Sequence, residues 1–370
     1  MSAPAAALAV PAGPRQPPAP AGGPLAWARR QLFSSPASGA ATLLLLAAFA
    51  WILPRAVDWL VLGAVWSPDF AACRALDYRA ACWGFVAEKH RLILFGRYPF
   101  GEQWRPVAAM ALLLAVGLAS AHPRAWRRGL LAAWVPVMAA FLLLLRGGPF
   151  GLPVVDTGQW GGLPLTVLLT LVVVTGSMPL GVALALGRRS RLPLVRGLCT
   201  LYIELVRGVP LVTVLFVASF LFPLFLPSGV TLDGLARVAL GMTLFQAAYM
   251  AEVVRAGLQA LPRSQTEAAA ALGLSWWQTQ RRVILPQALV LVIPSFVNSL
   301  LSTFLDTSLV TVVSLYDLTG SLRLALGDPR WRAFFIEGYL FVGAIYFTAS
   351  FALSRYSHWL EGRLGRWTQR

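Results

Sequence analysis

Eight apolar stretches dominate the sequence, and each is close to the length that crosses a membrane as a helix. A span needs about 20 mainly apolar residues, because about 30 Å of hydrocarbon is covered at about 1.5 Å per residue. Only 12% of the residues are charged, whereas about 25% of a soluble domain is charged. The pattern predicts an all-α, polytopic helical membrane protein with about eight transmembrane helices. The predicted spans are 38–54, 106–121, 129–145, 161–187, 199–226, 234–254, 287–310 and 333–354.

The basic residues lie mostly in alternate connections between these stretches. The formal net charge is +16, and 18 of the 31 Lys and Arg residues fall on the side that holds both termini. Cytoplasmic segments carry an excess of Lys and Arg, so we predict that both termini are cytoplasmic. This placement explains the basic charge, and no nucleic-acid partner is expected. The predicted cytoplasmic segments are 1–37, 122–129, 187–198, 255–286 and 355–370.

The chain divides into a tail and two groups of spans. Residues 1–37 are rich in Pro, Ala and Gly and lack the pattern of a secretory signal, so we predict a disordered cytoplasmic tail. Residues 38–155 hold three predicted spans and an outer loop at about 55–105. Residues 156–360 hold five predicted spans and a patterned cytoplasmic loop at about 255–286.

That cytoplasmic loop predicts two short helices bent at a glycine. Pro262 ends the preceding helix, and Thr266 can cap the next one with Glu267 beside its positive end. Gly273 allows a bend, and Pro286 ends the second helix before the next span. The predicted helical runs are 267–272 and 276–284. Two short helices held between two spans suit insertion into a groove of a partner protein.

The same loop resembles the signature loop of bacterial ABC import permeases. That signature is Glu-Ala-Ala, then Gly, then Ile-Leu-Pro before the next span. The resemblance assigns ATPase coupling to the matching residues here, which are Glu267, Ala268, Ala269, Gly273, Ile284, Leu285 and Pro286.

Further segments are similar to the polar amino-acid branch of these permeases. The matching stretches are 202–211, 248–255 and 306–309. Three extra amino-terminal spans and the segment 156–162 look like the longer permease subunit of general L-amino-acid import systems. The sequence departs from the branch at Ser264-Gln265, where Gly-Gln is usual, and at Leu305, where a basic residue is usual.

The resemblance implies a five-helix permease core in a bacterial inner membrane. The implied partners are two copies of an ABC ATPase subunit that binds ATP and Mg, a second homologous permease, a periplasmic amino-acid-binding protein, an amino-acid substrate and membrane lipid. The sequence has no Gly-x-x-x-x-Gly-Lys-Ser/Thr phosphate loop, so we expect neither a cofactor nor enzyme activity in this chain.

Three alternatives stand beside this interpretation. One is a secondary transporter driven by an ion gradient, which gives no reason for the loop pattern. Another is an ABC permease for a different small solute. The third is a membrane enzyme, which would require clustered His, Asp or Glu side chains, and the sequence has no such cluster.

Four charged residues form two candidate pairs within the predicted spans. Glu204 and Arg207 lie three residues apart, as do Glu252 and Arg255, so each pair can neutralise itself on one helix face. One interpretation is that these charges make structural contacts between helices. The other is that they take part in gating or in contact with the ATPase.

Asp306 is a different kind of candidate, because no basic residue lies near it in the sequence. An ionisable residue inside a span is by default a functional hypothesis. Asp306, Thr307 and Ser308 are therefore candidates for the substrate pathway. The alternative is that the span has ended and Asp306 caps the next segment.

The cysteines indicate one candidate disulfide. Cys73 and Cys82 both fall in the predicted outer loop, where a bacterial periplasm would be oxidising. Cys199 opens a predicted span and is best explained by packing. The three histidines are scattered, so no metal site is predicted.

Overall fold

The computed structural model describes residues 23–125, 128–227 and 229–368. Every regular element in these ranges is a helix, and the only bridges between extended residues are two isolated ones. The predicted all-α fold is confirmed.

The smaller of two units comprises residues 1–64 and 78–81. Its described helices are α1 (Pro24–Gln31) and α2 (Pro36–Val57), the latter extended by a π-helical turn (Asp58–Leu62). Ser35 caps α2 in a reciprocal capping box with Ser38. No α2 residue is buried, so its apolar side chains are available to lipid.

Helix α1 corrects the prediction of a disordered tail. Residues 1–22 of that tail lie outside the described residues, whereas Pro24–Gln31 is helical. Proline at the first helical position has its φ preset, and the Leu, Ala, Arg and Gln residues after it favour a helix.

The larger unit comprises residues 65–77 and 82–370. Its α-helices are α3 (Phe70–Ala75), α4 (Gly84–Phe95), α5 (Trp104–Ala121), α6 (Arg128–Arg146), α7 (Gly162–Arg188), α8 (Pro193–Gly208), α9 (Leu211–Phe216), α10 (Gly234–Ala260), α11 (Arg263–Ala271), α12 (Trp276–Thr279), α13 (Leu285–Asp306), α14 (Leu318–Ala325) and α15 (Phe335–Thr368).

Helices α7 and α10 form the most extensive pair, and α13 packs against both. Their approach depends on small residues: a Cβ atom at Gly181 would lie 2.7 Å from the Cβ of Met250. Small residues let membrane helices pack backbone against backbone. Leu169 and Val173 on α7 and Met242 on α10 are buried in the resulting core.

The predicted spans correspond to helices, with one break. Among the described residues, five stretches are long and apolar enough to cross a membrane: Pro36–Leu62, Phe100–Ala121, Gly162–Arg188, Trp276–Val313 and Arg332–Arg363. The predicted spans 129–145 and 234–254 correspond to α6 and α10. The predicted span 199–226 is instead a pair of helices bent by 106°. The break falls at Val209 and Pro210, because proline has no N–H to continue the α-helical ladder.

Candidate functional site

The loop that carries the Glu-Ala-Ala residues forms one regular helix, α11. It begins at Arg263 after Pro262, so Thr266 lies inside the helix and does not cap it. The predicted start of this helix at Glu267 is therefore too late. The favourable φ of Pro262 lets the helix begin at Arg263. Glu267 and Ala268 face outward, whereas Ala269 is buried. The helix therefore anchors one face and presents the other.

Gly273 ends α11 in a Schellman motif. The N–H of Gly273 donates to the carbonyl of Ala270, and the N–H of Leu274 donates to that of Ala269. Gly273 has φ of +74°, a left-handed conformation that glycine adopts without strain. Apart from its chain neighbours, no described residue lies within 4 Å of the position that a Cβ at Gly273 would take. The predicted bend at Gly273 is thus fixed by backbone conformation and hydrogen bonds.

The predicted stop at Pro286 is wrong, because the chain remains helical from Trp276 to Val313. Ser275 caps α12 in a capping box, and a π-helical turn, Gln280–Ile284, leads directly into α13. Proline clashes with the carbonyl four residues earlier. That carbonyl lies within the wider π turn, which accommodates the ring without ending the helix. The segment after α11 is therefore joined to α13 by continuous helix.

Tertiary contacts hold α11 beside this long helix. The Nε2 of Gln287 on α13 donates to the Oε1 of Gln265 on α11 at 3.3 Å. Ile284 is buried, Leu285 is partly buried and Pro286 is exposed. The two ends of the Glu-Ala-Ala to Ile-Leu-Pro sequence are thus brought together.

The four candidate charges meet around a fifth residue, Arg188. Its Nη1 lies 2.6 Å from Glu252 Oε1 and its Nη2 lies 2.9 Å from Glu204 Oε1. Glu252 also pairs with Arg255 at 2.6 Å, as expected, and lies 3.9 Å from Arg207. The expected Glu204–Arg207 pair is absent among the described residues. The cluster joins α7, α8 and α10.

Arg188 was not predicted to belong to this cluster, because it was assigned to a cytoplasmic loop. The signal available was its position directly after the predicted span 161–187, where a long basic side chain can reach back to acids on neighbouring helices. The structure places it as the last residue of α7.

We expect Arg188→Gln to lower the free energy of unfolding by about 1–3 kcal/mol, because it removes a shared partner of two acids. We expect a loss in the lower half of that range, because the Glu204 side chain is 56% exposed and solvent screens its ion pair with Arg188. Thermal unfolding of the purified subunit measures the change. Arg196→Gln is the matched control, because Arg196 is exposed and makes no ion pair among the described residues. Equal stability of both variants would contradict a joining role for Arg188.

Asp306 is the last residue of α13, and a 3₁₀ segment, Thr307–Val313, comes after it without a gap. Its carboxylate is partly buried and has no hydrogen bond or ion pair with any described residue. Thr307 is buried and donates to the carbonyl of Phe304, and Ser308 is partly buried. The carboxylate caps no helix end in this arrangement.

A further charged side chain inside a predicted span, Arg237 on α10, was not among the predicted site residues. Its Nη1 donates to the carbonyl of Ser219 at 2.7 Å, in the π-helical turn Val217–Leu221. The Nε of Arg237 and the Oγ of Ser219 are buried and have no partner among the described residues. An arginine within an apolar stretch was the available signal.

The two cysteines of the predicted outer loop are joined by a disulfide, with 5.4 Å between the Cα atoms of Cys73 and Cys82. The N–H of Cys82 donates to the buried carboxylate of Glu337 at 2.8 Å. The bonded segment is thereby fixed to the start of α15. A disulfide that closes so short a loop contributes about 2–3 kcal/mol.

Asp317 organises the segment between the last two spans. Its carboxylate accepts hydrogen bonds from the N–H groups of Thr319 and Gly320, at the start of α14, and from Thr311 and Tyr346. Burial raises the pKa of Asp317 above its usual range, and these four donors lower it by less. No group of three or more His, Cys, Asp or Glu side chains in the described ranges could hold a metal ion.

These features define a class of protein. The chain is a multi-pass helical membrane protein that presents a rigidly capped helix, α11, at one end of a long continuous helix.

The chain belongs to the family described as binding-protein-dependent transport system inner membrane component, which matches residues 177–366. It is 44% identical to the inner membrane amino-acid ABC transporter permease protein YhdY of Escherichia coli (strain K12), over 92% of each chain. It is 38% identical to the glutamate/glutamine/aspartate/asparagine transport system permease protein BztC of Rhodobacter capsulatus, over 95% of this chain and 96% of that protein.

The chain is also similar to one in a crystal structure of an amino acid ABC transporter with histidines. The two are 29% identical, the match covers 55% of this chain and 92% of that chain, and the TM-score is 0.49. The predicted class is confirmed by the family and the two full-length relatives: this is a permease subunit of an ATP-binding cassette importer, which works with a separate ATPase and a substrate-binding protein.

Proposed function

We propose that this subunit carries amino acids into the cytoplasm, with both termini on the cytoplasmic side. The names of its two full-length relatives, one an amino-acid permease and one a permease for acidic amino acids and their amides, support this substrate class. The excess of Lys and Arg at the end that holds α11 supports the orientation. The working complex would contain a second homologous permease, two ATPase subunits that bind ATP and Mg, and a periplasmic amino-acid-binding protein.

The observation that carries this proposal is the geometry of α11. The helix fixes Ala269 inside and leaves Glu267, Ala268 and Leu272 exposed, with Leu272 80% accessible. An exposed leucine beside small side chains suits insertion into a groove of the ATPase. Because the chain continues as one helix from Trp276 to Val313, a push on the loop would tilt a spanning segment.

The substrate pathway requires groups for both ends of a zwitterion. The unpartnered carboxylate of Asp306 suits the ammonium group. For the carboxylate group of the substrate, the sequence suggests backbone groups that are freed near Pro210 or Pro294. Only Pro210 lies at a helix break, since Pro294 lies within α13. The side chain of Arg237, with Nε unpartnered among the described residues, is a better candidate because it supplies a positive charge.

Reconstitution tests the function and its two alternatives together. The subunit, co-purified with its ATPase and partner permease, is placed in proteoliposomes with the binding protein outside. We expect uptake of labelled amino acids that requires ATP and Mg inside and is unaffected by ionophores. Uptake driven by an ion gradient without ATP would indicate a secondary transporter. ATP-driven uptake of another solute only would overturn the amino-acid assignment.

A further inference from the structure

A cleft of about 960 Å³ opens beside the coupling loop, at the ends of α7 and α10. Its volume lies at the upper end of the range of about 300–1,000 Å³ that ligand sites occupy. Its apolar walls come from α7, the end of α10 and the π turn before α13. The wall residues are Pro179, Val182, Ala183, Leu186, Leu258 and Ile284.

Three arginines line this cleft, and no acidic residue of the described ranges does. Arg189, Arg191 and Arg263 are exposed, and none has an ion pair or side-chain hydrogen bond with any described residue. The neighbouring Arg188, in contrast, is neutralised by two glutamates. Three unpaired cations along one apolar cleft give it a positive potential, which favours an anionic ligand.

Two further features indicate the chemistry of that partner. Gln280 is only 8% exposed and lines the cleft, and its Oε1 has no hydrogen-bond donor among the described residues. Trp276 and Trp277 also line the cleft and are 45% and 70% exposed. Exposed tryptophans are typical of the membrane–water interface. The occupant should therefore combine an anionic group, a hydrogen-bond donor and an apolar body.

We propose that this cleft binds an anionic phospholipid whose headgroup carries hydroxyl groups. The phosphate lies among the three arginines, a headgroup hydroxyl donates to Gln280 Oε1, and an acyl chain runs along the apolar walls. The proposal rests on the proposed function, which puts this end of the molecule at the cytoplasmic surface. Basic pockets between membrane helices on that side recognise such headgroups. The lipid would touch α7 and the coupling segment at once, and so fix the loop relative to the spans.

Native mass spectrometry of the detergent-purified complex with its ATPase tests the binding. The complex is mixed with micelles that contain equal amounts of phosphatidylglycerol and phosphatidylcholine. We expect selective retention of phosphatidylglycerol, lowered about fivefold by one Arg→Gln change and more than tenfold in R189Q/R191Q/R263Q. The matched control R124Q/R196Q/R355Q removes three exposed arginines outside the cleft and should retain the lipid. Ala183→Trp narrows the apolar part of the cleft, keeps every charge and should also weaken lipid retention.

Each other outcome would overturn the proposal. Equal retention of both lipids would exclude recognition of the anionic headgroup. Displacement by millimolar inorganic phosphate, with no effect of Ala183→Trp, would indicate a site for a small free anion. Normal lipid retention with release of the ATPase from the triple variant would assign the arginines to a protein contact. Because lipid retention is measured without transport, its loss is separable from a failure to carry amino acids.

Discussion

Gly273→Pro is expected to abolish ATP hydrolysis that depends on transport, while the subunit still inserts and assembles. Proline fixes φ near about −65°, whereas Gly273 has φ of +74°. Proline also removes the N–H that donates to Ala270. The Schellman motif cannot form, so α11 loses the orientation in which we propose that it meets the ATPase. Stimulated ATPase activity of the reconstituted complex, with and without loaded binding protein, measures the loss.

Two further variants separate conformation from charge at this loop. Gly273→Asn should keep most of the stimulated activity, because asparagine tolerates the left-handed region and the surrounding space is open. Glu267→Lys should abolish it by reversing a charge on the exposed face of α11. Normal uptake by both Gly273→Pro and Glu267→Lys would remove α11 as the coupling element.

Asp306→Asn is expected to reduce amino-acid uptake by about 100-fold or more, because removing one member of a buried charge pair typically costs about 3–5 kcal/mol. The substitution keeps the side-chain volume and removes the charge that would pair with the substrate ammonium. Basal ATPase activity and assembly should stay normal. Uptake of labelled amino acid into proteoliposomes measures the effect.

Two comparisons decide whether that loss concerns charge in the pathway. Asp306→Glu keeps the charge and should retain part of the uptake. Asp58→Asn changes an exposed acid in the smaller unit and should have no effect. Uptake by Asp306→Asn at the wild-type level would make Asp306 a helix-end residue with no role in transport.

The sequence by itself determined the membrane class and the position of the loop that we propose couples to the ATPase. Both depend on short-range properties: the length of apolar runs and the spacing of Glu267, Gly273 and Pro286 along the chain. The Glu252–Arg255 pair was predictable for the same reason, since residues three apart share one helix face. The departure at α11, where Thr266 is not the cap, concerns only the helix boundary, which local sequence specifies weakly.

The tertiary structure decided which distant groups meet. Arg188 reaches Glu204 and Glu252 because α7 packs against α8 and α10, and nothing in the local sequence around Arg188 shows that. The cleft is formed by segments from 179 to 284 in the chain, so its three unpaired arginines could not be grouped beforehand. The structure also distinguished two prolines: Pro210 lies at a 106° break, whereas Pro286 is accommodated by a π turn. A proline removes one hydrogen bond in either place, and the chain continues at Pro286 because the wider π turn before it accommodates the ring.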